Sequence, residues 1–186
     1  PEEAARFAAI DASVSHDRDG IWAAQAIAAS TAAALSGETV EEVVAAGRRF
    51  IPEDSWLGRR MAAAAAILDE FSDEYDRLHA LHTRLWTPSH SISPEAIPQV
   101  YALYIMSGGD FRKGFLLSAN FGRDADTVCA LVLALCAAGR GMSVIPESWV
   151  EKVRRPAGVC LRFAANYDLV DLAKELADAA LESGNK

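Results

Sequence analysis

The segment Gly122-Arg123-Asp124-Ala125-Asp126-Thr127 gathers two carboxylates and a hydroxyl within four residues, just ahead of an apolar run. A chain that turns there can aim three hard oxygens at one point, the donor set that Mg2+, Mn2+ and Ca2+ take. The same residues also have a plainer reading. An Asp or Thr ahead of an apolar helix satisfies backbone N–H groups that have no partner within the helix, so the block could be a cap. Capping leaves Asp124 unexplained, because one capping side chain is enough and two neighbouring acids repel unless a cation or base lies between them.

Other candidates are weaker. His79 and His82 have helical spacing for a metal pair, but arginines flank them and no cysteine joins them, which favours surface histidines. Asp69, Glu70, Asp73, Glu74 and Asp76 read as a solvated helix face. Cys129 and Cys136, seven apart, fit buried small apolar residues. Ser107-Gly108-Gly109 lacks the spacing of a phosphate loop and reads as a helix stop. His90 has no evident partner, and His16 lies in the polar stretch 13–20 with little to distinguish it by itself.

The elements that must position these residues are helical. Apolar residues recur at three and four along nearly the whole chain and almost never alternate, so the class is all-α. The expected helices run from about Glu2 to Ala12, from Ile21 to Leu35, and from a cap at Thr39 to near Arg49. The Ala-rich second helix is expected at the centre, where backbones approach closely. The longest periodic run starts at Pro52-Glu53-Asp54-Ser55 and continues to about Leu85, with room for a bend. Residues 86–94, with two prolines and four hydroxyl residues, form an exposed loop of the kind that often carries function. Helices then cover Glu95 to Met106, Asp110 to Ala119 and Val128 to Ala138. Pro146 opens a short helix, and the last runs from Tyr167 to Leu181 before a frayed Ser183-Gly184-Asn185-Lys186 end.

Composition bounds the function. Eighteen basic against 26 acidic residues give a net charge of −8, with no surplus to neutralise a nucleic acid or an anionic membrane. The 51% apolar content includes 36 alanines, and no apolar stretch approaches the ~20 residues that span a bilayer. Three cysteines with no Cys-x-x-Cys spacing argue against a disulfide framework or structural zinc, and a reducing cytoplasm fits.

Asn120-Phe121-Gly122-Arg123-Asp124-Ala125-Asp126-Thr127-Val128, a small-residue helix and Ile145-Pro146-Glu147-Ser148-Trp149 together resemble the C-terminal signature of the ADP-ribosylglycohydrolases, the dinitrogenase reductase-activating glycohydrolase family. Ser13-Val14-Ser15-His16 with Gly20 is similar to that family's serine or threonine plus histidine motif, and residues 167–173 resemble its closing helix. The resemblance implies a compact orthogonal helical bundle holding two divalent cations, magnesium or manganese. Asp124, Asp126 and Thr127 would be metal ligands, with both aspartates at the catalytic centre. His16, Gly122 and Arg123 would meet the substrate, His16 near its phosphates. The implied reaction is hydrolysis at the anomeric ribose carbon, releasing ADP-ribose from a modified target, with a small ribosyl nucleoside or nucleotide as an alternative substrate. A non-catalytic helical homologue with a structural or binding role is the other reading.

Two departures from the family pattern stand out. Family members mostly carry a second glycine where this chain has Arg123. Their N-terminal half also holds a Gly-Asp segment and a Ser/Thr-Asp-Asp-Thr metal motif with no counterpart among these 186 residues. Two cations ~3.5–4 Å apart need more oxygens than three side chains supply. The expectation is therefore the C-terminal portion of one helical domain, inactive until an N-terminal segment or chain completes it. The opening at Pro1, straight into a helical pattern, fits that expectation.

Overall fold

The computed structural model describes residues 1–184; Asn185 and Lys186, part of the expected frayed end, lie outside the described residues. Helices and two short 3-10 turns are the only regular structure among those described. They are α1 (Glu2–Ala12), α2 (Asp19–Leu35), α3 (Val40–Arg48), α4 (Trp56–Glu70), α5 (Glu74–Arg84), α6 (Ser93–Ser107), α7 (Phe111–Phe121), α8 (Ala125–Arg140), α9 (Glu147–Val153) and α10 (Leu169–Gly184). Their packing divides the chain into two units, Pro1–Val144 and Ile145 onward. No described helix is long and apolar enough to cross a membrane.

Local chemistry explains most boundaries. Thr39 opens α3 with a reciprocal cap: its hydroxyl accepts the Glu42 N–H, and the Glu42 carboxylate accepts the Thr39 N–H at 2.8 Å. Gly108, left-handed at φ 61°, ends α6, and Asp110 caps α7 by accepting the Lys113 N–H at 2.7 Å. The run expected to continue to Leu85 is in fact two helices. Phe71 is extended, Arg77 donates to the carbonyls of Leu68 and Phe71 at 2.9 and 2.6 Å, and Asp73 caps α5 through Tyr75 and Asp76. Asp73 thus starts a helix rather than decorating one.

Both α2 and α6 are central in the first unit, each packed against five other helices, and α6 is the more deeply buried. Thirteen of its fifteen residues are buried, from Pro94 through Tyr104 with Met106 and Ser107. It carries Ile97, Val100, Tyr101, Leu103 and Tyr104 all round its circumference, and burying such side chains removes far more apolar area than burying alanines. The alanines of α2 instead permit close approach on one face. Ser30 donates to the Val43 carbonyl and lies 2.8 Å from the Tyr101 hydroxyl, and a Cβ on Gly47 would collide with both side chains. Burial pushes the Tyr101 phenol well above its ordinary range.

Long-range bonds fix which helix ends meet. Asp19 on α2 accepts the Leu57 N–H of α4 at 3.0 Å, and Arg60 on α4 donates to the Pro94 carbonyl in the first turn of α6 at 3.2 Å. Arg123, just ahead of α8, grips Glu95 of α6. The first turns of α2, α4, α6 and α8 therefore share one end of the unit. At the other end Arg140 donates to the Gly108 carbonyl, and Gly139 backs onto Ala34.

The second unit is held by charge. Arg154 Nε bonds both Asp168 oxygens at 2.8 and 2.7 Å, and Asp168 caps α10 through the N–H groups of Val170 and Asp171. The Arg154 guanidinium holds the Asp168 carboxyl below the usual carboxylate range, against a smaller upward push from burial. Leu172, Leu176 and Leu181 of α10 are exposed.

Candidate functional site

Three residues carry the chain from α7 into α8, and two of them have positive φ. Gly122 takes φ 85°, ψ −160°, a region open almost only to glycine. Arg123 follows at φ 61°, unusual for a residue with a side chain. A family glycine at that position would be free of strain. Here an arginine occupies the same left-handed backbone and needs something to hold it there.

Glu95 and the loop behind it supply the hold. Arg123 Nε donates to Glu95 Oε1 at 2.6 Å, while Nη2 donates to Glu95 Oε2 at 3.0 Å and to the Thr87 carbonyl at 2.6 Å. The guanidinium also lies 5.3 Å from the centre of the Trp86 ring, within cation–π range. Glu95 has no exposed side-chain surface, and it accepts further bonds from the Thr87 N–H at 2.6 Å and hydroxyl at 2.7 Å. Burial alone would raise its pKa, but Arg123 and Thr87 outweigh burial and hold it below the ordinary carboxylate value. The Nε and Nη2 edge of the Arg123 guanidinium is thus committed to protein groups.

Asp124 is different. It stands at the N-cap of α8 with only 8% of its surface exposed, yet its carboxylate makes no capping bond. The carboxylate has no hydrogen bond or ion pair among the described residues, while the Asp124 carbonyl accepts the Val128 N–H at 3.0 Å. The capping residues Thr39, Ser55, Asp73 and Asp110 have ψ between 123° and 164°, and each accepts an N–H of its helix. Asp124 has ψ 55°. Asp126 and Thr127 follow in the first turn of α8 and are exposed.

These positions place most of the expected site together. Gly122, Arg123, Asp124, Asp126 and Thr127 form one junction. His16 is not joined to it by any described hydrogen bond or ion pair; it is exposed, lies 2.8 Å through Nδ1 from the Ser15 hydroxyl, and packs over Gly20. His82, read from the sequence as surface, packs edge-on against Phe121 at 5.5 Å and lies beside Gly122. Trp86 and Thr87 lie in the loop 86–94 that the sequence marks as a place for function, with no role given to either, and Glu95 is missed by the sequence reading. A single acid inside the apolar stretch 94–106 is the signal that could have found Glu95.

As a cation site the donors fit in kind: two carboxylates and a hydroxyl, one carboxylate nearly buried and unpaired. They are few in number. Among the described residues no group of three His, Cys, Asp or Glu side chains is placed to hold a metal ion. Asp124, Asp126 and Thr127 are thus three oxygen-bearing side chains, fewer than the roughly six or more oxygens a hard cation takes.

No curated protein and no solved structure matches this chain. A family model does match, that of the ADP-ribosylglycohydrolases, and it covers residues 1–185. That match, over an all-helical chain, is the finding the junction motif points to: the chain belongs to the ADP-ribosylglycohydrolase family.

Proposed function

We propose that this chain supplies the Asp124 side of a divalent-metal-dependent glycohydrolase that cleaves a ribosyl bond, removing ADP-ribose from a modified target. The observation that carries the reading is Asp124 itself. Its carboxylate stands at a helix start in a residue only 8% exposed and neither caps its own helix nor pairs with another side chain, so its oxygens are free to meet a ligand. Asp124, Asp126 and Thr127 would hold the cation side, Mg2+ or Mn2+, and the remaining oxygens would come from an N-terminal segment or chain. A hard cation bound there supplies Lewis acidity next to the ribose.

The chain's own residues have separable tasks in this reading. Asp124 and Asp126 set negative charge beside an anomeric carbon that becomes oxocarbenium-like as the bond breaks. Gly122, with no side chain at the turn, leaves room for the sugar, and His16 meets the phosphates. Arg123 holds the turn through Nε and Nη2. Three unpaired cysteines support a reducing, cytoplasmic setting.

Water-proton relaxation during a Mn2+ titration tests the reading. With the completing segment present, wild type should bind, and Asp124→Asn and Asp126→Asn should weaken binding at least about tenfold, as loss of a charged ligand does. Equal affinity in all three, or none in wild type, overturns the proposal. Cation binding with no ADP-ribose released from an ADP-ribosylated protein, even with the completing segment present, would instead favour a homologue without turnover.

A further inference from the structure

Of the four histidines, His16, His79 and His90 are exposed and His82 alone is partly buried. It belongs to α5, where Leu81 before it and Leu85 one turn on are fully buried, so it lies at the edge of the helix face that meets the core. Its ring stands edge-on to Phe121, the last residue of α7, with centroids 5.5 Å apart and planes at 64°. Such packing fixes the direction of the ring. A Cβ on Gly122 would come within 4 Å of a single atom beyond its chain neighbours, His82 Cε1 at 3.9 Å. Cε1 is the carbon bonded to both ring nitrogens, so the imidazole turns its polar edge toward the space that Gly122 leaves open. Neither nitrogen has a hydrogen bond among the described residues.

We propose that His82 is a ligand-contacting residue: its polar edge hydrogen-bonds a hydroxyl of the ribose that occupies the space beside Gly122, two residues ahead of Asp124. The ligand's identity as a ribose rests on the function proposed above. A neutral imidazole offers one N–H and one lone pair, and a hydroxyl can meet either, so the match holds in both tautomers. The junction needs such a contact from outside. Gly122 has no side chain, the Nε and Nη2 edge of Arg123 is engaged, and Asp124, Asp126 and Thr127 belong to the cation side. His82 reaches the gap from α5, a different helix, and holds the sugar in one orientation beside the reacting carbon.

Nuclear magnetic resonance with 13C at histidine Cε1 tests this, with the completing segment and Mg2+ present. Loss of a signal in His82→Phe identifies His82 among the chain's four histidines. Saturating ADP-ribose should move that signal. ADP, which has the same pyrophosphate but lacks the terminal ribose, should leave it in place. ADP-ribose affinity should fall about tenfold in His82→Phe, which keeps an aromatic ring against Phe121, and by a smaller factor in His82→Gln, which restores a donor and an acceptor. Mn2+ affinity should stay at the wild-type value in both, since the contact is to the sugar and not through the cation side. A His82 signal that ADP-ribose leaves unmoved, or that ADP moves equally, overturns the inference. Full ADP-ribose affinity in His82→Phe, or a parallel loss of Mn2+ affinity, overturns it too. Wild type that binds Mn2+ but not ADP-ribose removes the functional reading itself, and the sugar contact with it.

Discussion

Glu95 in the first turn of α6 and Asp124 at the N-cap of α8 are both acids in buried residues, and their carboxylates are treated in opposite ways. Glu95 has every oxygen engaged, by Arg123, by the Thr87 N–H and by the Thr87 hydroxyl. The Asp124 carboxylate, one residue beyond the arginine that satisfies Glu95, makes no capping bond and no ion pair among the described residues. Both lie near helix N-termini, whose partial positive charge favours anions, so the backbone field does not distinguish them. Side-chain pairing does. The difference separates a carboxylate that holds the scaffold from one that the scaffold presents, and Arg123 links the two.

Breaking the pair on the Glu95 side should give the largest effect. Arg123→Met keeps volume but strands a charge with no exposed surface, and losing one partner of a buried ion pair costs about 3–5 kcal/mol. Urea unfolding followed by circular dichroism measures it. Removing both charges in Glu95→Gln/Arg123→Gln should cost much less, because no charge is left uncompensated. A single variant no worse than the double would mean that the two carboxylates are alike after all.

Acid probes the same pair more gently, and its sign is fixed. The folded-state pKa of Glu95 lies below the ordinary 4.5, so its contribution is complete above that value and is lost as pH falls from there through the depressed folded value. Wild type should therefore lose stability more steeply than Glu95→Gln/Arg123→Gln below pH 4.5. Parallel pH profiles of unfolding would show that Arg123 does not stabilise the ionised form.

How much of this was legible in the sequence follows the range of the interactions. The Thr39 cap, the Asp110 cap and the Gly108 stop are local chemistry, written within a few residues, and the structure places them as expected. The break at Phe71–Asp73 was hidden because the apolar period runs on across it, and the bonds that end α4 come from Arg77 in the next helix. The alanines of α2 marked one central helix, packed against five others, while the second, α6, is central through its larger side chains. At the site, the Asp124–Thr127 block was visible as a motif, yet neither of its competing readings included Glu95. An ion pair spanning 28 residues leaves no periodic trace, and the fold alone brings its members together.

The smallest predicted effect is a difference between two aspartates that a sequence reader would treat alike. Asp110→Ala removes a cap that holds the Lys113 N–H at 2.7 Å and should cost about 1 kcal/mol, the usual worth of an N-cap. Asp124→Ala removes a residue in the same formal position of its helix, but there is no capping bond to lose. Taking away a nearly buried, unpaired carboxylate should leave stability within about 0.5 kcal/mol of wild type or raise it. Chemical unfolding of the two variants side by side decides the matter. An equal loss at both positions would mean that Asp124 caps α8 in solution, and the contrast with Glu95 would then reduce to two carboxylates that both serve the scaffold. Unequal losses leave Asp124 with no structural work in the unliganded chain.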